Sequence, residues 1–238
     1  MSALRAVAIV CSGGTGERLG VAGGKQLALV AGRPVLAWTI AALDAAEGVD
    51  HIVLVCPADR VDEYRAAVVD SLALLTPVTY APSGVSRQAS VASGIAVAPL
   101  EAEILLVHDG ARPLVTPEIV ASTFSALEAD PLAAGVVVGH PSIDTLKIVE
   151  GGVVSETPDR AKYWAVQTPQ TFRAAALRAA YAQAQAEGLV GTDDASLVEH
   201  AGGRVLLVEG PRDNIKVTVA EDVALVEATL AFRASGEE

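Results

Sequence analysis

A chain of 238 residues, 51% hydrophobic but only 4% aromatic, can bury one substantial core, which must be built from Ala, Val, Leu and Ile. Its formal net charge of -12 disfavours nucleic acid and anionic membrane surfaces as partners, so an anionic ligand has to be met by local clusters of Arg and Lys. Two cysteines, Cys11 and Cys56, are too few for a disulfide framework or a zinc site, and no apolar stretch approaches the roughly 20 residues of a membrane span. The opening residues carry one Arg and a short apolar run, which is poor signal-peptide material, so a cytoplasmic protein with reduced thiols is expected, in a single domain over 1–238.

The apolar residues 7–11 read as a buried strand that opens directly into Gly13, Gly14 and Gly16, followed by Arg18, a spacer and Lys25. Glycines let backbone N–H groups approach an anion closely and the two cations add full charge, so this stretch reads as a polyphosphate-binding loop. It is not the dinucleotide fingerprint, which needs glycine where Leu19 stands. Nor is it a P-loop, which wants glycine at 19 and Ser or Thr where Gln26 stands. Pro34 suits a first helical turn, 35–46 reads as a mostly buried helix and 52–56 as the next strand. Residues 59–72 set Asp62, Glu63 and Arg65 against Val61, Val68, Val69 and Leu72 at helical spacing, which predicts an amphipathic helix. A weak strand at 77–81, a helix capped by Ser86 and running to Val97, and an apolar strand at 104–107 follow. That strand ends in His108-Asp109-Gly110-Ala111-Arg112-Pro113, where His108 is read as a structural hydrogen-bonding residue. Thr116 and Pro117 then start another helix.

Such alternation predicts an α/β fold: a Rossmann-like, mostly parallel twisted sheet flanked by helices. Ligands on these sheets gather at the C-terminal strand ends, which places the glycine loop and 108–113 on one rim. From about 140 the pattern changes. Residues 144–149, the pair Gly151-Gly152 and 153–156 predict a hairpin, so that 140–165 forms a projecting arm. A two-stranded arm cannot bury its own apolar face, and packing on a second subunit is expected. Residues 163–166 return to the sheet ahead of Thr168-Pro169-Gln170. An Ala-rich helix at 173–187, a shorter one capped by Thr192 and running to His200, and a strand at 205–209 come next, and Thr218 with Glu221 forms a capping box for a last helix to about Arg233.

The loop resembles the signature of the sugar-nucleotidyltransferase superfamily, and seven segments (12–26, 87–94, 107–113, 144–147, 165–172, 192–196 and 214–218) together resemble the 2-C-methyl-D-erythritol 4-phosphate cytidylyltransferase family over nearly the whole chain. The resemblance implies attack by a sugar-alcohol phosphate on the α-phosphorus of CTP, with pyrophosphate leaving, as a step in isoprenoid precursor synthesis. It assigns Arg18 and Lys25 to the triphosphate and Lys216 to the α-phosphate as catalytic cations. It puts Ser12, Gly13, Gly14, Thr15, Gly16, Arg87, Ser90, Asp109 and Gly110 around the nucleotide, and Arg112, Thr145, Arg160, Thr168 and Thr192 around the acceptor. Mg²⁺ is the implied counter-ion, with Asp109 as its candidate ligand, and a homodimer with shared active sites is implied by the arm. This chain departs from the family pattern at Cys11 and Gly24, where proline is usual, at Gly13-Gly14 in place of Ala-Gly, and at Val85-Ser86, where acidic residues often stand. Two alternatives remain: a ribitol-5-phosphate cytidylyltransferase, whose loop also tends toward Gly-Gly-x-Gly, and a nucleotide-binding module without catalysis.

Overall fold

The computed structural model describes residues 6–14 and 24–236. Among these residues eleven strands and seven helices succeed one another as β1 (Ala6–Cys11), β2 (Leu29–Val30), β3 (Arg33–Pro34), α1 (Val35–Asp44), β4 (Val49–Cys56), α2 (Val61–Tyr64), β5 (Val78–Pro82), α3 (Arg87–Val97), β6 (Ile104–Asp109), α4 (Pro117–Ala129), β7 (Gly135–Pro141), β8 (Ile148–Glu150), β9 (Val153–Glu156), β10 (Trp164–Arg173), α5 (Ala174–Glu187), α6 (Asp194–His200), β11 (Val205–Glu209) and α7 (Ala220–Ser235). The main sheet has seven strands in the order β11-β7-β10-β6-β1-β4-β5. All its pairings are parallel except those of β10, which runs antiparallel between β6 and β7.

Period-two alternation explains why the inner strands are apolar throughout. In β1, Ala6, Ala8 and Val10 face one side with α1 and α4 residues such as Leu36, Ile40 and Phe124, while Val7 and Ile9 face the other with Val91, Ile95, Phe172 and Leu177. Truncating a residue such as Ile9, which is fully buried, would cost about 2–5 kcal/mol. A smaller third core joins Ala28, Val30 and Val35 to Leu114, Val217 and Val226, so α7 clamps the β2–β3 hairpin against the segment that follows β6.

Several local expectations need correction. Ser86 and Thr116 cap α3 and α4 as expected, accepting from Ala89 and Ile119 N–H. The cap of α6, however, is Asp193 and not Thr192: the Asp193 carboxylate accepts the Ser196 N–H at 2.9 Å. A carboxylate one residue later reaches the helix dipole better than an exposed hydroxyl. At α7 the Thr218–Glu221 box is replaced by Asp222, whose Oδ2 takes the Thr218 and Val219 N–H groups and the Thr218 hydroxyl at 2.6, 3.0 and 2.8 Å. The helix expected over 59–72 is a 3-10 turn at Ala58–Arg60, then α2, then a π turn at Arg65–Val69, wound so that Tyr64 and Val68 are buried. The strand expected over 144–149 begins only at Ile148, and the pieces at 163–166 and 168–170 belong to one long strand, β10.

The hairpin itself is as expected. Gly151 and Gly152 supply φ of 56° and 82°, the two consecutive left-handed residues a tight two-residue turn demands. Every residue of β8 and β9 is exposed. Among the described residues no helix is long and apolar enough to cross a membrane.

Candidate active site

Chain order departs from β1 in both directions: β4 and β5 lie on one side, β6 on the other. That is a topological switch point, and the crevice there opens at the C-terminal ends of β1 and β6, where Cys11 pairs in register with Asp109. A cavity of about 470 Å³ occupies it, lined by Gly13, Gly14, Lys25, Gln26, Arg87, Ser90, Asp109 and Lys216 together with neighbouring backbone. Residues from four separate stretches of sequence therefore meet at one rim.

Each is held by local structure. Gly13 lies so close to the connection after β5 that a Cβ would come within 2.2 Å of Ser83 Cβ, so only glycine fits. Lys25 is pinned because the first N–H groups of α1 donate to the carbonyls just after it, Leu36 to Gln26 at 3.0 Å and Val35 to Ala28 at 2.9 Å. Its stem passes Gly14, and its charge acts on Asp222 at the head of α7. Lys216 is set by Val217, which is buried in the third core and donates its N–H to the Ala111 carbonyl at 2.8 Å.

Asp109 is the electrostatic centre. Arg87 Nε approaches its Oδ1 at 3.2 Å, and Lys216 Nζ and Arg112 Nε approach its Oδ2 at 2.8 and 3.8 Å. Burial alone would raise the carboxyl, but Arg87 and then Lys216 outweigh it and hold it well below the usual range, so Asp109 stays ionised. Arg87 is gripped on its other edge by fully buried Asp194, at 2.8 Å, whose second oxygen accepts the Tyr181 hydroxyl. Burial would lower the guanidinium; Asp194 and Asp109 more than reverse that. Arg87, Arg112 and Lys216 against Asp109 and Asp194 leave a surplus cation in a molecule that is otherwise strongly acidic.

The sequence-predicted residues divide into groups. Gly13, Gly14, Lys25, Arg87, Ser90, Asp109 and Lys216 share the cavity. Arg112 and Thr168 stand beside it: Arg112 also donates to the Asn214 carbonyl at 2.7 Å, and Thr168 Oγ1 accepts the Asp109 N–H at 3.1 Å. Ser12 and Gly110 are close but committed inward. The Ser12 hydroxyl and N–H both donate to the Val55 carbonyl, and the Gly110 N–H donates to the Cys11 carbonyl. Thr145 and Arg160 are exposed on the arm and Thr192 is exposed on the α5–α6 connection, none of them lining the cavity. Thr15, Gly16 and Arg18 lie outside the described residues.

His108 differs from expectation. It is fully buried, its ring nitrogens make no well-formed hydrogen bond among the described residues, and burial pushes its pKa down to about 3, so it is a neutral packing residue. Both cysteines are unpaired, and burial raises the Cys11 thiol, which keeps it protonated. The residues that sequence reasoning missed are Asp194, Tyr181, Gln170 and Gln88. Adjacent Asp193 and Asp194 carried the signal: one acid caps α6, so the other is free for a partner elsewhere.

A family model described as 2-C-methyl-D-erythritol 4-phosphate cytidylyltransferase (IspD) matches residues 6–231. A relative of that name from Syntrophotalea carbinolica is 40% identical over 223 residues, covering 93% of this chain and 94% of its own. Another, from Nostoc punctiforme, is 39% identical over 226 residues, covering 94% and 98%. The crystal structure of 4-diphosphocytidyl-2C-methyl-D-erythritol synthase from Anaerococcus prevotii aligns with a TM-score of 0.83 at 28% identity, covering 95% of this chain and 96% of that one. The crystal structure of the Thermus thermophilus cytidylyltransferase aligns at 0.74 with 32% identity, covering 94% and 98%. With the fold, the rim and these matches in agreement, the chain belongs to the 2-C-methyl-D-erythritol 4-phosphate cytidylyltransferase family.

Proposed function

We propose that this protein transfers a cytidylyl group from CTP to 2-C-methyl-D-erythritol 4-phosphate, releasing pyrophosphate, in isoprenoid precursor synthesis in the cytoplasm. An acceptor phosphate oxygen forms the new bond to the α-phosphorus while the bond to the β-phosphate bridge breaks, its electrons leaving with pyrophosphate. The attacking oxygen is already an anion and needs no general base. What the protein must supply is position and positive charge on the transferring phosphoryl oxygens. Lys25, with Arg18 by family resemblance, holds the β- and γ-phosphates, and Lys216 moves from Asp109 to the α-phosphate. Arg87 and Ser90 flank the base.

The observation that carries this reading is that Lys25 and Lys216, 191 positions apart in sequence, line one cavity whose single lining carboxylate among the described residues is already neutralised. The same crowd of cations makes Asp109 a poor ligand for a divalent ion, and no cluster of three ligating side chains occurs among the described residues. Mg²⁺ is accordingly placed on the nucleotide's own phosphates, where it would offset their charge.

The acceptor side rests on Arg112, Thr168 and Thr192, and on Thr145 and Arg160 reaching from the arm of a second subunit. The exposed apolar residues Ile148, Val149, Val153 and Val154 favour that homodimer. Pyrophosphate release with CTP, measured against methylerythritol phosphate and ribitol 5-phosphate side by side, tests the reading. Turnover is expected with the first; preference for the second would transfer the assignment to the ribitol enzyme, and release with neither would leave a binding module.

A further inference from the structure

The connection between α5 and α6 carries Thr192 into solvent, yet past Leu189 its order comes mostly from side chains. Leu189 N–H still donates to the Ala184 carbonyl at 2.9 Å. Beyond it, Gln88 takes over: its Oε1 accepts the Gly191 N–H at 3.1 Å and its Nε2 donates to the Leu189 carbonyl at 3.0 Å. A side-chain amide offers a donor and an acceptor side by side, so it mimics a neighbouring strand for this segment. Further along, Gln170 bridges the Asp193 carboxylate at 2.8 Å and the Ala195 N–H at 3.2 Å, and Arg87 takes Asp194.

Gln88 directly follows Arg87 in the first turn of α3. That turn therefore holds both the cation at the nucleotide cavity and the clamp on the segment leading to Thr192. We propose that Gln88 is a positioning residue that fixes the 189–191 backbone and, through it, presents Thr192 to the acceptor, so that the first turn of α3 ties the acceptor side to the nucleotide side. The acceptor half of this statement rests on the function proposed above; the clamp does not.

The test is Gln88→Ala and Gln88→Glu in the full-length protein. Gln88 is only half-buried, so water can replace its bonds in Gln88→Ala without unfolding the chain. Faster hydrogen exchange over 189–193 is expected in the unliganded protein, with acceptor KM raised roughly fivefold or more and CTP KM changed by less than about twofold. Glutamate keeps an acceptor for Gly191 but sets a carboxylate against the Leu189 carbonyl. The ratio of the Gln88→Glu acceptor KM to that of the parent should therefore fall as the pH falls and the new carboxyl protonates, whereas the ratio for Gln88→Ala stays level. Unchanged exchange at 189–193, equal increases in both KM values, or identical behaviour of the two variants at every pH would overturn the proposal. If the parent transfers no cytidylyl group at all, the function reading fails, and the exchange measurement alone still decides whether Gln88 clamps the segment.

Discussion

Two regions that the family resemblance joins in one reaction are built very differently. At the rim, Cys11 and Asp109 sit opposite each other on strands buried on both faces, and the charged groups above them are held by ion pairs and by a small apolar core of their own. Among the described residues, β8 and β9 of the arm pair only with each other, all their residues are exposed, and the Arg160 side chain is tethered by one bond, from its Nη1 to the Ile143 carbonyl at 2.6 Å. The rim cations Arg87, Arg112 and Lys216 are held by Asp109 and by the third core, with Lys216 needing only to shift from its carboxylate, whereas the arm has few contacts beyond its own hairpin among the described residues. Damage to the rim should thus fall on turnover or, where a buried charge loses its partner, on stability, and damage to the arm on the affinity of one ligand.

The largest expected effect is at the rim. Lys216→Ala should lower kcat for pyrophosphate release by about 10²–10³-fold while leaving the melting temperature nearly unchanged; a loss under tenfold would remove Lys216 from the chemistry. Asp109→Asn comes next, because it leaves Lys216 and Arg112 without their shared counter-charge beside Arg87, which keeps only Asp194, at a cost of about 3 kcal/mol. The sign of its pH dependence follows from the carboxyl being held low in the folded state. Its stabilisation is complete above the unfolded value of about 3.9 and is lost as pH falls toward the folded one. Denaturation of parent and variant across pH should show a constant gap from pH 5 to 8 that closes below about pH 4; a gap that widens in acid would reverse the argument.

The arm should respond otherwise. Arg160→Ala is expected to raise the acceptor KM roughly tenfold and leave the CTP KM nearly alone, and parallel increases would erase the contrast between the two regions. The smallest effect sharpens the contrast by separating stability from chemistry. Ala31, in the β2–β3 turn, has a φ of 49°, which a β-carbon disfavours, so Ala31→Gly should add up to about 1 kcal/mol in chemical denaturation without altering either KM.

What the residues reveal without coordinates follows the same division. Strands such as β1 and β6 are legible because a continuous apolar run ended by glycine or a polar cluster has few other uses. Placing those strand ends on one rim brings the loop with Lys25 to Asp109, while Arg87 and Lys216 are joined to them by the family resemblance. The Gln88, Tyr181 and Asp194 contacts were not legible, since partners up to about a hundred residues apart leave no period in the sequence. Caps were misplaced by one residue at Asp193 and Asp222, where neighbouring side chains could each serve and tertiary packing chose between them. At 65–69 the helical register slips into a π turn, a change no hydrophobic pattern announces.

Strand β10 runs from Trp164 and exposed Ala165 and Val166 at the base of the arm, through an irregularity in its pairing with β7 between Val166 and Gln170 that holds buried Thr168, to buried Phe172. A one-residue insertion or deletion in the stretch that leads into Thr168 would turn the later side chains to the wrong face and pull Thr168 from the Asp109 N–H. Growth and trimming of the projection are therefore confined to the stretch before Trp164, with the glycine tip as the cheapest place to add or drop residues.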